Sequence, residues 1–349
     1  PLREDLRANR PDGLLKRHLL ALLQTPDQYW GWYPPAMREG TRLIREERTA
    51  AILSTGPPWL SHLVARRLKK KYRIPWLADF RDPWANNPFM AHPIGWERKL
   101  KQRLEAACVE SADRVICSTE RLQEFLAKAH PAQPREKFVV LPNGFDDAAP
   151  SSAPLANPQA GSRRVFLHLG SLYVQRRVDT FCAAIRLLAA AGRLQASAFQ
   201  VLFLGDADPS LVSAARRSAP ELFADRSIEF RPRIEWHEAQ TRMWQADYLL
   251  LFQGGLRLEV PAKFFEYLPT GKPMMAIAKP GALTDIVQTT GRGVSADPDS
   301  VDEICRGLER LLKWPVLTPE EVRRQWHSHY HYQNLTTRLA GWIRDLVKA

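Results

Sequence analysis

The segment EVPAKFFEYLPTGKPMMAIAKPG, at 259–281, carries the most specific pattern of polar side chains in the chain. Pro261 is placed to begin a helix at its first position, where the missing N–H costs nothing. Lys263 and Glu266 are three residues apart and therefore share one face near the helix start. A carboxylate there can accept hydrogen bonds from a ribose diol, while the free N–H groups of the helix start attract a phosphate. The same two side chains could equally form an ordinary surface ion pair.

In the second half of the chain, most of the apolar runs are followed by a glycine. They occur in Gly170-Ser171, Gly205-Asp206, Gln253-Gly254-Gly255 and Pro280-Gly281. A glycine lets backbone N–H groups come close to a phosphate, and Arg176 and Arg177 stand near enough to Gly170 to neutralise a diphosphate. Glycines at strand ends also make turns without binding anything. Several of them beside two arginines favour a ligand site over turns alone.

These residues need a framework of alternating strands and helices, and the hydrophobic pattern predicts one. Predicted strands lie at 49–54, 74–80, 114–118, 137–142, 164–169, 199–204, 227–231, 247–252 and 273–277. Helices are predicted between them, with Thr119 as an N-cap, a helix at 301–313 and two more from 318 to the end. This alternation predicts parallel α/β sheets, in which ligands bind beyond the carboxyl ends of the strands.

The length of 349 residues predicts more than one domain. Residues 147–163 are rich in Ala, Pro and Ser and are predicted to be a linker. We therefore expect two domains, at 1–150 and at 151–317. The helices of 318–349 could pack back on the first domain. The chain opens at Pro1 on charged, helix-like sequence, so we expect further residues before it in the natural protein.

Composition narrows the class of protein. The formal net charge is +12, and both halves of the chain are basic. This charge would attract phosphates, nucleic acid or an anionic membrane, or would simply be a solvated surface. The 11 Trp residues are scattered and no nucleic-acid-binding motif occurs, so we expect no nucleic-acid partner. The four cysteines form no CxxC pair, which predicts reduced thiols and no metal site. No apolar run approaches the length of a membrane span.

Six segments follow one another in the order seen in a known family. They are STGPPWLSHLVARRLKKKYRIPWLADFRDPW (54–84), ADRVICST (112–119), VLPNGFD (140–146), HLGSLYVQRR (168–177), ADYLLLF (246–252) and VPAKFFEYLPTGKP (260–273). Together they resemble the retaining family 4 glycosyltransferases of GT-B fold, particularly the bacterial branch of surface-polysaccharide assembly. The resemblance implies two Rossmann-like domains whose parallel sheets face each other across a cleft. The domain at 1–150 would be the acceptor-side domain, and the one at 151–317 would bind the nucleotide-sugar. The opening strands of the family's first domain have no counterpart here, so this domain is expected to be incomplete.

The resemblance also assigns roles in donor binding. Glu266 matches the second carboxylate of the family's paired-glutamate motif, which binds the donor ribose. The first carboxylate would fall at Leu258, and Glu259, one residue on, could substitute for it. Where the family has Arg and Lys after the glycine, this chain has Ser171 and Arg176. Arg176 is expected to bind the diphosphate, and Arg177 could replace the missing cation.

Two further regions are assigned in the same way. The loop at 231–234, which includes Arg233, resembles the one that holds the nucleotide base. Many relatives have a His after the strand that corresponds to PWLADF, where this chain has Arg81 and Asp82. Arg81 could hold a donor phosphate or hydroxyl and Asp82 a hydroxyl, or the two could form a pair that fixes the loop. His62 is expected to be structural.

The expected function is transfer of a sugar from a nucleotide-sugar donor to a glycan or lipid-linked acceptor, with retention and without cofactor or metal. The expected location is cytoplasmic, with possible reversible contact of the basic helix near 58–72 with an anionic membrane. Two alternatives remain open: a sugar-nucleotide epimerase of the same fold, and an inactive nucleotide-sugar-binding module.

Overall fold

The protein is described by a computed structural model that covers residues 25–85, 87, 95–146, 163–195, 198–255 and 257–348. The helix-like opening lies outside these residues, as does the predicted linker except for Arg163. The chain divides into two compact units. Unit 1 comprises Pro1–Leu141 and Arg338–Ala349, and unit 2 comprises Pro142–Thr337.

Unit 1 is built on a parallel sheet with strands in chain order, β1-β2-β3-β4. The strands are β1 (Ile52–Gly56), β2 (Trp76–Phe80), β3 (Arg114–Cys117) and β4 (Phe138–Val140). The helices are α1 (Tyr33–Glu46), α2 (Leu60–Tyr72), α3 (Gly95–Ser111) and α4 (Glu120–Ala129), with 3₁₀ turns at Trp30–Trp32 and Arg135–Lys137.

Local sequence explains why these elements form. The hydroxyl of Thr119 accepts a hydrogen bond from the N–H of Leu122, which confirms the predicted N-cap of α4. Helix α2 buries Leu60, Val64 and Leu68, which recur every four residues and so lie on one face of the helix. The sheet therefore receives a mainly apolar helix face, which also includes the buried His62.

Unit 2 contains a second parallel sheet, with strand order β10-β9-β8-β5-β6-β7. The strands are β5 (Arg164–Leu169), β6 (Phe199–Leu204), β7 (Ile228–Arg231), β8 (Tyr248–Phe252), β9 (Met274–Ile277) and β10 (Gly293–Ala296). The helices are α5 (Val178–Ala190), α6 (Pro209–Ser218), α7 (Pro220–Ala224), α8 (Trp236–Gln245), α9 (Ala262–Tyr267), α10 (Ala282–Thr290), α11 (Val301–Leu311) and α12 (Pro319–Tyr330), with a 3₁₀ turn at Leu268–Thr270.

Alternate residues of the strands of unit 2 enter two separate apolar clusters. Phe166 and Leu250 pack in the first cluster, with side chains of α5, α6 and α11. Leu167 and Leu249 pack in the second, with side chains of α8, α9 and α10. Both faces of the sheet are therefore covered by helices, which is why the central strands are mainly apolar in the sequence.

The last helix, α13 (Tyr332–Lys348), begins in unit 2, and from Arg338 onward it belongs to unit 1. Arg338 donates a hydrogen bond of 3.0 Å to the carbonyl oxygen of Val140 on β4, within unit 1. Among the residues described, no helix is both long enough and apolar enough to cross a membrane.

Candidate functional site

The order in which the chain adds strands to the sheet of unit 2 reverses between β5 and β8. From β5 the chain proceeds outward to β6 and β7, and it then returns to β8 on the other side of β5. Strands β5 and β6 pair along six residues, whereas β5 and β8 pair only at Phe166–Tyr248 and Leu167–Leu249. The two central strands therefore diverge toward their carboxyl ends. A crevice at such a switch point is where open α/β sheets bind ligands.

Two buried side chains occupy the space where β5 and β8 separate. Nδ1 of His168 donates to the carbonyl oxygen of Leu250 at 2.9 Å, so the proton is assigned to this nitrogen. The hydroxyl of Tyr267 accepts from the N–H of Leu169 at 2.9 Å. Burial lowers the pKa of His168 to about 3, and the positive charges of Arg176 and Lys263 act in the same direction. Both cations therefore lie close enough to the end of β5 to interact electrostatically with His168.

The glycines after β5 and β6 serve different purposes, although both have positive φ angles, 123° for Gly170 and 143° for Gly205. A Cβ on Gly205 would lie 2.4 Å from the carbonyl oxygen of Gly170, so this glycine is required by packing. A Cβ on Gly170 would have no described atom within 4 Å. The backbone at Gly170 therefore faces open space at the end of the central strand.

Arg176 is held on the loop that follows Gly170. Its Nη1 donates to the carbonyl oxygen of Ser171 at 2.7 Å, and its guanidinium lies 5.5 Å from the centre of the Tyr173 ring. The same loop contacts the loop after β8, because a Cβ on Gly254 would lie 3.0 Å from Cβ of Gln175. A cation held by its own loop in this way needs little rearrangement to meet an anion.

Arg177 points to different partners. Its guanidinium pairs with Asp179 at 3.0 Å and with Asp299 at 2.7 Å. These contacts, chiefly the hydrogen bonds that Arg177 donates to Asp179, raise its pKa. Asp299 also pairs with Lys279 at 2.6 Å. An anion at Arg177 would have to compete with two carboxylates, so Arg176 is the better placed of the two arginines.

Lys263 and Glu266 form an ion pair, which was one of the two interpretations of the sequence; the other was a site for a ribose and a phosphate. Nζ of Lys263 lies 2.6 Å from Oε2 of Glu266, and both side chains are partly exposed. The pair uses one carboxylate oxygen only, so Oε1 remains for a hydroxyl donor. Pro261 was predicted at the first helical position. The structure places it at the N-cap of α9, because its ψ of 138° is extended and the helix begins at Ala262.

The remaining residues predicted in unit 2 lie on loops at the same sheet edge. The side chain of Gln253 donates to the backbone oxygen of Glu259 at 2.9 Å, which ties that loop to the end of β8. Arg233 is exposed and follows β7, the outermost strand on its side. With a spacing of about 4.8 Å between strands, the end of β7 lies roughly 10 Å from that of β5. Arg233 is therefore at a separate part of the edge.

In unit 1, the predicted Arg81 and Asp82 follow β2. The backbone of Arg81 is held by Gly56 on one side, at 3.2 Å, and by the hydroxyl of Ser118 on the other, at 2.9 Å. Arg81 is exposed and Asp82 partly buried. The loop after β2 is therefore anchored through the backbone of Arg81.

His62 is a core residue, as expected. Its Nδ1 lies 2.8 Å from the hydroxyl of Ser54, which also accepts from the indole N–H of Trp76 at 2.8 Å. The imidazole stacks on Phe80 with ring centres 4.6 Å apart. Burial lowers its pKa to about 3. The ring is neutral and helps to shape the loop after β1.

Sequence reasoning missed one acidic residue at this edge. Asp79 lies inside β2, and its Oδ2 accepts a hydrogen bond of 2.8 Å from the hydroxyl of Thr55 on β1. Burial raises its pKa, whereas the hydrogen bond from Thr55 and the charge of Arg81 act the other way. The available signal was an acid within the otherwise apolar run WLADF.

Comparison with known proteins places this geometry in context. Residues 5–144 match the family model of the glycosyl transferase 4-like domain. The chain is similar to the sucrose-phosphate synthase of Thermosynechococcus elongatus, with a TM-score of 0.63 and 17% identity over 90% of this chain and 78% of that one. It is also similar to the Anabaena protein HepE in complex with UDP and glucose, with a TM-score of 0.64 and 15% identity over 97% and 84% of the two chains.

A third similar structure is the α,α-trehalose 6-phosphate synthase of Burkholderia multivorans, with a TM-score of 0.64 and 13% identity over 92% and 75% of the two chains. A search of curated protein sequences found no match. At these identities the structures establish the fold alone. The predicted class, an α/β protein with two parallel sheets of GT-B type, is confirmed.

Proposed function

We propose that this protein is a glycosyltransferase of the hexosyltransferase type, which transfers a sugar from a nucleotide-sugar donor to a glycan or lipid-linked acceptor with retention of configuration. The observation that carries this proposal is the end of β5. At the switch point of the sheet, the space beside Gly170 is open. The positive charges of Arg176 and Lys263 are close enough to act on His168 in the same strand. The glycosyl transferase 4-like domain at 5–144 and the UDP bound by the similar HepE protein support it.

The proposed chemistry follows from these positions. As the bond between the anomeric carbon and the diphosphate breaks, negative charge grows on the leaving diphosphate. Arg176 and Lys263 would stabilise this charge, and they are already held in place by Ser171 and Glu266. Oε1 of Glu266 would accept a hydrogen bond from a ribose hydroxyl while Oε2 keeps Lys263. Ion pairing and donor binding at Glu266 are therefore compatible.

The test compares two neighbouring arginines in the same protein. Release of nucleoside diphosphate is measured with the glucose conjugates of UDP, GDP, ADP and dTDP. Arg176→Gln is expected to slow release by about a hundredfold or more, the usual cost of removing one preorganised charge-stabilising group. Arg177→Gln, which loses only partly exposed ion pairs, should have a much smaller effect.

Equal effects of the two substitutions would remove Arg176 from the proposed site. The absence of release with every donor would favour an inactive nucleotide-sugar-binding module. With an active donor, NMR of the transferred sugar gives the anomeric configuration of the product, and inversion would refute the proposed retention.

We also propose a cytoplasmic protein of polysaccharide biosynthesis with reversible membrane contact through α2. All four cysteines are free, in keeping with a reducing compartment. Of the α2 cations, Lys69 pairs with Asp113 and Arg66 contacts the hydroxyl of Ser111. The exposed cations that remain for an anionic surface are Arg67, Lys70 and Lys71.

Binding to anionic vesicles tests this contact. A cation near such a surface contributes about 1 kcal/mol, or roughly fivefold in affinity. Replacing Arg67, Lys70 and Lys71 by Gln should therefore release the protein from the vesicles, as should added salt. If the wild-type protein stays in the supernatant at low salt, a water-soluble acceptor becomes the better proposal.

A further inference from the structure

Asp79 occupies a defined place at the carboxyl edge of the sheet of unit 1. It is the penultimate residue of β2, and it lies beside Thr55, the penultimate residue of β1, in the parallel register. The hydroxyl of Thr55 donates to Oδ2 of Asp79 at 2.8 Å. This edge is the one at which parallel sheets place their ligands.

The Asp79 carboxylate has fewer hydrogen-bond donors than it can accommodate. A carboxylate offers about four acceptor positions, and among the described residues only Thr55 donates to this one. Its Oδ1 therefore has no donor from the described part of the chain. Asp79 is partly buried, and this burial raises the pKa of its carboxyl group.

A purely structural role does not account for this arrangement. Strands β1 and β2 are already joined along five paired residues. A hydrogen bond between their side chains adds little to that pairing, and the partly exposed carboxylate keeps Oδ1 accessible to a ligand. Groups held in this way are candidates for contact with a ligand.

The charge near Asp79 indicates which kind of group would donate a hydrogen bond to its Oδ1. The guanidinium of Arg81, two residues further along the chain, already places a positive charge near Asp79. A second cation would be repelled by it, whereas a neutral hydroxyl would not. The hydroxyl of Thr55 holds Oδ2 and so directs Oδ1 toward such a donor.

We propose that Asp79 binds a hydroxyl group of a sugar ligand in unit 1, with Thr55 as its positioning residue. This inference rests on the proposed function, since it assigns the sugar to the acceptor side of a glycosyl transfer. It differs from the expectation for Asp82, which lies after the strand, whereas Asp79 is part of it.

The test measures sugar binding directly on the full chain. Saturation-transfer NMR is recorded with D-glucose, D-galactose, D-mannose and N-acetyl-D-glucosamine, each in the presence of saturating nucleoside diphosphate. Asp79→Asn keeps the shape of the side chain and an acceptor for Thr55, but presents an N–H₂ group in place of Oδ1. The matched control is Glu124→Gln, which neutralises an exposed carboxylate on α4 of the same unit, and Thr55→Val removes the positioning contact.

At least one of these sugars should bind the wild type. Asp79→Asn should weaken this binding by about ten- to a hundredfold, the usual effect of losing a hydrogen bond to a charged group. Glu124→Gln should bind as the wild type does, and Thr55→Val should fall between. In the wild type, sugar binding should weaken as the pH falls and the carboxyl is protonated; this arm requires no variant.

Three results would overturn the inference: no sugar binds the wild type, Asp79→Asn binds as well as the wild type, or Glu124→Gln causes the same loss. Nucleoside diphosphate binding, followed on the same samples, reports on the donor site of unit 2. If the wild type binds sugar but no nucleoside diphosphate, the proposed function is refuted, whereas the hydroxyl site of unit 1 is still supported.

Discussion

Alanine substitutions at Gly170 and Gly205 test two different reasons for a glycine. At Gly170 the proposed reason is space for a ligand, and at Gly205 it is close packing against the backbone. Both residues have φ angles that disfavour a side chain, so each alanine should cost about 1–3 kcal/mol in backbone strain. Only at Gly205 would the new Cβ strike backbone, 2.4 Å from the oxygen and 2.6 Å from the carbonyl carbon of Gly170. Overpacking of this kind adds about 1–3 kcal/mol. We therefore expect Gly205→Ala to lower the free energy of unfolding by about 2–6 kcal/mol and Gly170→Ala by about 1–3 kcal/mol.

Urea-induced unfolding followed by circular dichroism measures this difference, and calorimetric titration measures nucleoside diphosphate binding on the same variants. Gly170→Ala should remain folded and lose affinity, because its methyl group enters the space proposed for the diphosphate. Gly205→Ala, at a temperature where it is folded, should lose less affinity. Equal destabilisation by the two substitutions would refute the packing argument. Unchanged affinity in Gly170→Ala would move the site away from the end of β5.

Other predictions address the ribose contact and the buried histidines. Glu266→Ala should weaken nucleoside diphosphate binding by about ten- to a hundredfold with an unchanged circular dichroism spectrum, because a charged acceptor is lost; unchanged affinity would show that Glu266 serves only its ion pair with Lys263. His62 and His168 have pKa values lowered from 6.5 to about 3, so below pH 6.5 the unfolded chain binds protons that the folded chain excludes. The free energy of unfolding should therefore fall with decreasing pH, by about 2 kcal/mol at pH 5 for each histidine. His168→Gln, which can still donate to Leu250, should flatten this profile in urea titrations, and an unaltered profile would contradict the assignment.

Much of the framework could be predicted because buried parallel strands leave a strong signal. The strands at 164–169 and 199–204 were predicted with their observed bounds, since each is a mainly apolar run that a glycine follows. Strand β10 was not predicted. Its four residues, Gly293–Ala296, are short and mostly small, so only pairing with β9 identifies them as a strand.

The site could be predicted in outline but not in its contacts. The carboxyl ends of parallel strands meet at one edge, so residues following the strands of unit 2 could be named from the sequence. The partner of a side chain depends on the tertiary fold: Arg177 pairs with Asp299, 122 residues away, and no local pattern indicates this. Asp79 was missed because an acid within an apolar strand is an exception to the pattern, and only its neighbour Thr55 on β1 gives it a role.

Nucleoside diphosphate binding tests the central claim most directly. At millimolar UDP, GDP, ADP and dTDP, at least one should raise the melting temperature, since a ligand at a hundred times its Kd stabilises the fold by about 2.7 kcal/mol. The same ligand should give a much smaller shift with Arg176→Gln and a near-normal shift with Arg177→Gln. If none of the four ligands shifts the wild-type melting temperature, the end of β5 is not a donor site and the proposed glycosyl transfer is contradicted.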